Sequence, residues 1–473
     1  MIPHRFAIHF RLLFVLTATG IALAAAGQGY ERTALDEYVA TPDPNYKYTI
    51  VSEEALDGYT HVVVDMVSQK WLTKKEIDKP IWRHWLALSI PDEVTSNRGL
   101  LYIGGGSNGG GPPKPSPLTS YIAKTTKTVA AELHMIPNQP LVFAGDGKPR
   151  KEDAIIAYTW DKYMQTGDEK WPLRLPMTKA AVRAMDTITE VTAGLEGGGP
   201  TVDQFVVAGG SKRGWTTWTT AAVDKRVIAI VPLVIDMLNV SPSFSHHLQV
   251  YGKYARAVGD YEAEDVMSKD GTPEYTALMK IVEPYEYRHR LMLPKYIVNS
   301  AGDQFFLPDS WKFYWDGLIG EKWLRYVPNT DHGLGGSDVP QSVLAWYNSV
   351  VHNVARPRFS WKVEPDGTIR VYALDEPKAV KLWQATNPEE RNFMKAVIGE
   401  AWSSERIEAT EPGVYSVRLD PPEQGFTAYM LELTYDSGVP LAPFKFTTGI
   451  KVVPDIRPHE GIQYRGPKNN TDD

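Results

Sequence analysis

No cysteine occurs among the 473 residues. That absence excludes a thiol nucleophile, a Cys-ligated metal and any disulfide, so an exported form of this chain must rest on its apolar core, which this length can supply. Long runs of one charge are also lacking. Lys and Arg number 50 against 57 Asp and Glu, for a net charge of −7. Without clustered basic residues, no nucleic-acid partner is expected. The glycine-rich stretch Gly104-Gly105-Gly106-Ser107-Asn108-Gly109-Gly110-Gly111 is not followed by Gly-Lys-Ser/Thr and does not open a helix, which makes it a poor phosphate loop. His246 and His247 sit together in what reads as a polar loop. No carboxylate stands near them at ligand spacing, so they read as surface or cap residues, and no metal or cofactor is expected.

One long apolar run is present, and it lies at the start. Leu12 through Ala26 follows Arg5 and Arg11 and ends in Ala24-Ala25-Ala26-Gly27. It reads as a signal peptide over residues 1–26, short for a membrane span, which predicts a secreted or periplasmic mature protein with no span after cleavage. The rest has an ordinary balance, 43% hydrophobic and 23% charged, and is rich in Trp (14) and Tyr (24). Disorder is therefore not expected.

After a turn-rich lead-in over about 30–60, strand and helix patterns alternate. Strands are expected at His61–Ser68, Trp82–Ile90, Gly99–Ile103, Pro140–Phe143, Gln204–Ala208, Val227–Ile235, Lys295–Asn299 and Trp323–Val327. Helices are expected at Leu118–Leu133, Thr178–Leu195, Lys212–Val223, Asp309–Leu318 and Val339–Val354. Such alternation predicts an α/β domain over 27–355, a mostly parallel sheet with helices on both faces. Residues 150–178, with Trp160 and Trp171 among charges, read as an inserted cap-like region beside a cleft. Beyond Arg356-Pro357-Arg358, short strands split by Pro, Gly and Asp turns predict a β-sandwich-like domain over 356–460, then a polar tail over 461–473.

Ser211 stands where a buried strand meets a helix: Gln204–Ala208, then Gly209-Gly210-Ser211, then Lys212-Arg213-Gly214. Small residues flank a nucleophile on such a strained turn. The usual Gly-x-Ser-x-Gly pattern is altered here, its second glycine one place late, and a serine before a helix can equally be a cap. A serine nucleophile needs a base, and the base needs a carboxylate. Both should follow in the chain at strand ends. His332, in the loop Pro328–Gly333, supplies the base. Asp303, after Lys295–Asn299, supplies the acid, with Asp236 at the end of Val227–Ile235 as the rival. The oxyanion donors are expected to be the backbone N–H of Lys212 and the Gly104, Gly105 and Gly106 loop.

The run Gly209-Gly210-Ser211-Lys212-Arg213-Gly214-Trp215-Thr216-Thr217-Trp218, with Trp82-Arg83-His84-Trp85, the Gly104–Asn108 loop and Asn329-Thr330-Asp331-His332, resembles the PhoPQ-activated pathogenicity-related protein family. The resemblance covers most of the mature chain. It implies an α/β-hydrolase core, a C-terminal β domain and export, and little about substrate. The Ser-Lys pair is also similar to the Ser-Arg pair of glucuronoyl esterases, which implies that Lys212 or Arg213 meets a substrate carboxylate. Arg213 is thus one expected substrate contact, and Trp160, from the inserted region, is the other. The expectation is a serine hydrolase acting on a small-molecule or glycan-linked ester, with amide or peptide substrates next. The alternative is a non-catalytic secreted binding or signalling protein on the same fold.

Overall fold

The computed structural model describes residues 30–194 and 199–462. The expected signal peptide and most of the polar tail lie outside them. Strands β1 (Lys47–Leu56), β2 (Tyr59–Lys70), β3 (Ile81–Pro91), β4 (Arg98–Ile103) and β5 (Ala130–Leu133) form the first part of a large sheet. A small hairpin of β6 (Leu141–Val142) and β7 (Pro149–Arg150) interrupts it. Then β8 (Gln204–Gly210), β9 (Val227–Leu233), β10 (Lys295–Ser300) and β11 (Lys322–Val327) complete it. The helices between and after are α1 (Ala34–Ala40), α2 (Pro117–Thr126), α3 (Asp153–Thr166), α4 (Arg174–Ala193), α5 (Lys212–Val223), α6 (Val240–Tyr251), α7 (Gly259–Ala263), α8 (Pro273–Val282) and α9 (Val339–Val351).

The sheet order is β1-β2-β3-β5-β4-β8-β9-β10-β11. Pairing is parallel from β5 through β11 and antiparallel among β1, β2, β3 and β5. Side chains on a strand alternate between faces, and β8 uses both. Phe205 and Val207 enter the core that holds the α4 and α5 residues Ala181, Met185, Trp215 and Trp218. Val206 and Ala208 enter the other core, with Ile122 of α2 and Leu344 and Trp346 of α9. A strand apolar on both faces needs helices on both, which is why β8 and β9 read as continuous apolar runs. The result is the expected α/β-hydrolase architecture, its sheet mixed at one edge.

Four local expectations are corrected. The predicted helix over Leu118–Leu133 stops at Thr126, where Lys127 turns left-handed (φ 54°). Ala130–Leu133 becomes β5 instead, its small alanines fitting between β3 and β4; helix-forming alanines hid a central strand, as tertiary pairing overrides propensity. The lead-in holds α1, capped by Thr33 and Asp36, and the edge strand β1, whose mostly exposed side chains lack an apolar alternation. The predicted helix at Asp309–Leu318 is only a short 3₁₀ turn at Ser310–Phe313, and the predicted strand at Pro140–Phe143 shrinks to β6.

The 150–178 region is helical. It is α3 and the start of α4, and Trp160 is only 1% exposed, packed against Trp215 and Tyr261. Its aromatics serve the core. In the C-terminal part, a three-stranded sheet (Phe359–Val363, Ile369–Ala373, Val414–Val417) faces a larger one built on Ala379–Asn387 and Phe426–Tyr435. Its apolar residues divide between the two cores, Leu431 and Phe446 on the α9 side and Met430 and Val452 on the other, and Tyr296 donates to Lys445 O at 2.6 Å. The described residues from Thr33 onward form one compact unit, so position 355 marks a change of architecture within it.

Candidate active site

Ser211 takes a left-handed backbone (φ 58°, ψ −126°) between β8 and α5. For a residue with a side chain this conformation costs about 1–3 kcal/mol and persists only where the surroundings impose it. Here Ser211 N donates to Leu233 O at 2.8 Å, and Ser211 O accepts from Trp215 N at 3.0 Å. The side chain makes no cap hydrogen bond, so the hydroxyl is not spent on the helix end.

The late glycine is explained by packing. A Cβ on Gly214 would stand 2.9 Å from Gly209 O and 3.0 Å from Leu233 O; one on Gly209 would stand 2.8 Å from Arg213 O. Gly209 and Gly214 therefore press the helix against the strand on either side of Ser211. The constraint is closeness, and position 214 meets it one residue late.

Asp303 and His332 come together from loops after β10 and β11. His332 Nδ1 lies 2.8 Å from Asp303 Oδ2, with the carboxylate buried and the imidazole half-buried. Asp303 Oδ1 accepts from Phe305 N at 2.8 Å, and Gln304 Oε1 accepts from His332 N at 3.2 Å, which fixes the loops to each other. Phe305 packs on the imidazole with ring centres 4.4 Å apart. His332 Nε2 is buried and has no hydrogen-bond partner among the described residues, Ser211 included.

Asp236 goes elsewhere. It is wholly buried and accepts hydroxyls from Tyr314 (2.5 Å) and Tyr326 (2.6 Å). Burial pushes its carboxyl up to about 8, against the pull of both tyrosines.

The expected substrate contacts are corrected. Lys212 Nζ stands 2.9 Å from Glu152 and 3.0 Å from Asp153. Arg213 grips Glu152 through Nη1 (3.0 Å) and Nη2 (2.7 Å) and donates from Nε to Ile136 O at 2.6 Å. Burial opposes ionisation of Glu152, but the two cations outweigh it and hold the carboxyl at about 2. Both charges are thus balanced inside the protein, and Trp160 is in the core. His246 and His247 are likewise buried on α6, His246 bonded to Asp309 at 3.0 Å, because that segment packs inward.

The glycine loop is tied to the same network. Gln139 Nε2 donates to Gly106 O (3.1 Å) and to Glu152 Oε1 (2.5 Å), and Arg213 fills the space a Cβ on Gly105 would need. Gly104 N–H is committed to Leu133 O at 2.7 Å. Sequence reasoning missed Glu152, Asp153, Arg174, Phe305 and Phe306. The one available signal was chemical: two adjacent cations beside a buried turn require carboxylates, and Glu152-Asp153 is an adjacent acidic pair.

Ser211 and Lys212 open onto a cavity of about 20 Å³, walled by Arg174, Tyr261, Phe305 and Phe306. It has room for about one water.

The chain is 36% identical over 456 residues to autocrine proliferation repressor protein A of Dictyostelium discoideum, covering 90% of this chain and 91% of that protein. Among solved structures, acetyl xylan esterase 1 from a Thermoanaerobacterium species aligns at 14% identity over 63% of this chain and 88% of its own (TM-score 0.42). An acetyl xylan esterase from a Paenibacillus species aligns at 11% identity over 67% and 91% (TM-score 0.44). The family model for PhoPQ-activated pathogenicity-related protein matches residues 35–394, and the chain belongs to that family.

Proposed function

We propose that the protein is a serine hydrolase that cleaves a carboxylic ester through an acyl-enzyme intermediate, with amides as the next substrate class. The observation that carries this reading is the strained, uncapped Ser211 followed in the chain by an Asp303-paired His332. Asp303 holds the proton on His332 Nδ1, leaving Nε2 to take the Ser211 proton as Oγ attacks the carbonyl carbon. The tetrahedral oxyanion is met by the Lys212 N–H, the first of α5, and by an N–H of Gly105 or Gly106, since Gly104 is committed. His332 then returns the proton to the leaving oxygen, and a water repeats the sequence to release the acid.

A fluorophosphonate probe should label the protein, and Ser211→Ala should abolish the label; equal labelling of the variant would remove Ser211 from the role. Export belongs to the same proposal. It predicts that the mature protein recovered outside the cytoplasm begins near Gly27.

The name of the relative, autocrine proliferation repressor protein A, favours a second reading in which an exported form acts as a signal without turnover. A biological effect that survives His332→Ala would favour it over hydrolysis.

A further inference from the structure

Arg174, at the start of α4, is 2% exposed and lines the cavity at Ser211. Among the described residues it has no carboxylate within ion-pair distance. Its guanidinium makes one hydrogen bond, from Nη1 to Lys212 O at 2.8 Å, and its Nε is buried without a partner. Trp215 covers one face of the plane, with the guanidinium carbon 4.5 Å from the ring centre.

A buried cation without a counter-ion is costly, and stacking on an indole offsets only part of that cost. The carboxylates nearby are engaged: Asp153 holds Lys212 Nζ at 3.0 Å and accepts from the Tyr261 hydroxyl at 3.2 Å, and Glu152 holds Lys212 and Arg213. Burial pulls the guanidinium down to about 10, so it is still charged at neutral pH.

We propose that Arg174 is the receptor for a carboxylate carried by the substrate, so that the preferred ester bears an acidic group on the side that enters the Ser211 cavity. This rests on the hydrolase reading above. With Nη1 spent on Lys212 O and one face on Trp215, the guanidinium has its Nε–Nη2 edge left. That edge offers two parallel N–H donors, the fork that matches the two oxygens of a planar carboxylate. Arg174 lines the same cavity as Ser211, so an acid group a few bonds from the scissile carbonyl would meet both. The cavity must enlarge to admit it, and its apolar wall includes the Phe305 and Phe306 side chains.

The test compares para-nitrophenyl hemisuccinate with para-nitrophenyl pentanoate, a neutral ester of similar length. The wild-type protein should favour the hemisuccinate in kcat/KM. Arg174→Met should lower the acidic-to-neutral ratio by about tenfold or more, the scale of a lost charge-assisted hydrogen bond. Arg174→Lys, which keeps the charge but not the fork, should fall between. No wild-type preference, or an unchanged ratio in Arg174→Met, overturns the proposal. If Arg174→Met does not fold, the wild-type preference and the Arg174→Lys ratio decide. A binding arm separates the two readings: Ser211→Ala should bind the hemisuccinate by calorimetry, and adding Arg174→Lys should weaken binding severalfold. Binding that ignores Arg174 overturns the receptor role even if turnover is seen. Arg174-dependent binding without fluorophosphonate labelling overturns the hydrolase reading alone.

Discussion

Asp303 and Asp236 are close enough that the charge of Asp303 helps raise the proton affinity of Asp236, yet only Asp303 bonds His332. Asp236 is satisfied by Tyr314 and Tyr326 and lies wholly buried beside the site. Two carboxylates on successive strand ends thus divide the work: one orients the imidazole, the other anchors two tyrosines.

Asp303→Asn should lower kcat on an aryl ester by about a hundredfold to ten-thousandfold, because the amide no longer enforces the Nδ1–H tautomer. Asp236→Asn should cost less than about tenfold, its effect passing through packing. Steady-state kinetics on both variants, with circular dichroism as a folding control, decide the matter. The reverse ranking would make Asp236 the acid.

Asp236 also predicts a pH dependence of stability. Its carboxyl titrates at about 8 in the folded protein and at roughly 3.9 when unfolded. The stability it contributes is therefore fully present below about 4 and is lost as pH rises toward 8, where the folded state must release a proton that the unfolded state has already shed. Asp236→Asn should flatten that part of the curve. Melting temperatures from pH 4 to 9, wild type against variant, measure it; parallel curves would contradict the prediction.

Gly214→Ala should destabilise the protein by about 1–3 kcal/mol, since the new methyl meets Gly209 O, Leu233 O and the Ile235 side chain with no room to move. It should also slow probe labelling of Ser211, whose conformation depends on that contact. A drop in melting temperature without slower labelling would confine the role of Gly214 to stability.

Much of this was legible from the chain alone. β8 and β9 are apolar on both faces, β10 and β11 carry apolar residues on each face, and α5 and α9 carry clear helical patterns, so this part of the parallel sheet follows from local pattern. The candidates Ser211, Asp303 and His332 were read from chain order, each following one of those strands. Less was legible at the edges. β1 has no apolar alternation to read, and β5 is two alanines, a glutamate and a leucine that become a strand only because β3 and β4 lie on either side.

Ser211 owes its place to its own segment: strand, close-packing glycines and helix are local, and local sterics set its backbone. What surrounds it is not local. Lys212 and Arg213 looked free to meet a substrate, and only the fold brings Glu152 and Asp153 from some sixty residues away to neutralise them. The same fold leaves Arg174, which no motif marks, charged and unpaired beside the serine. Residue type and order determine which groups are available for the chemistry. Which charges are cancelled and which remain free depends on distance through space, and that only the tertiary structure decides.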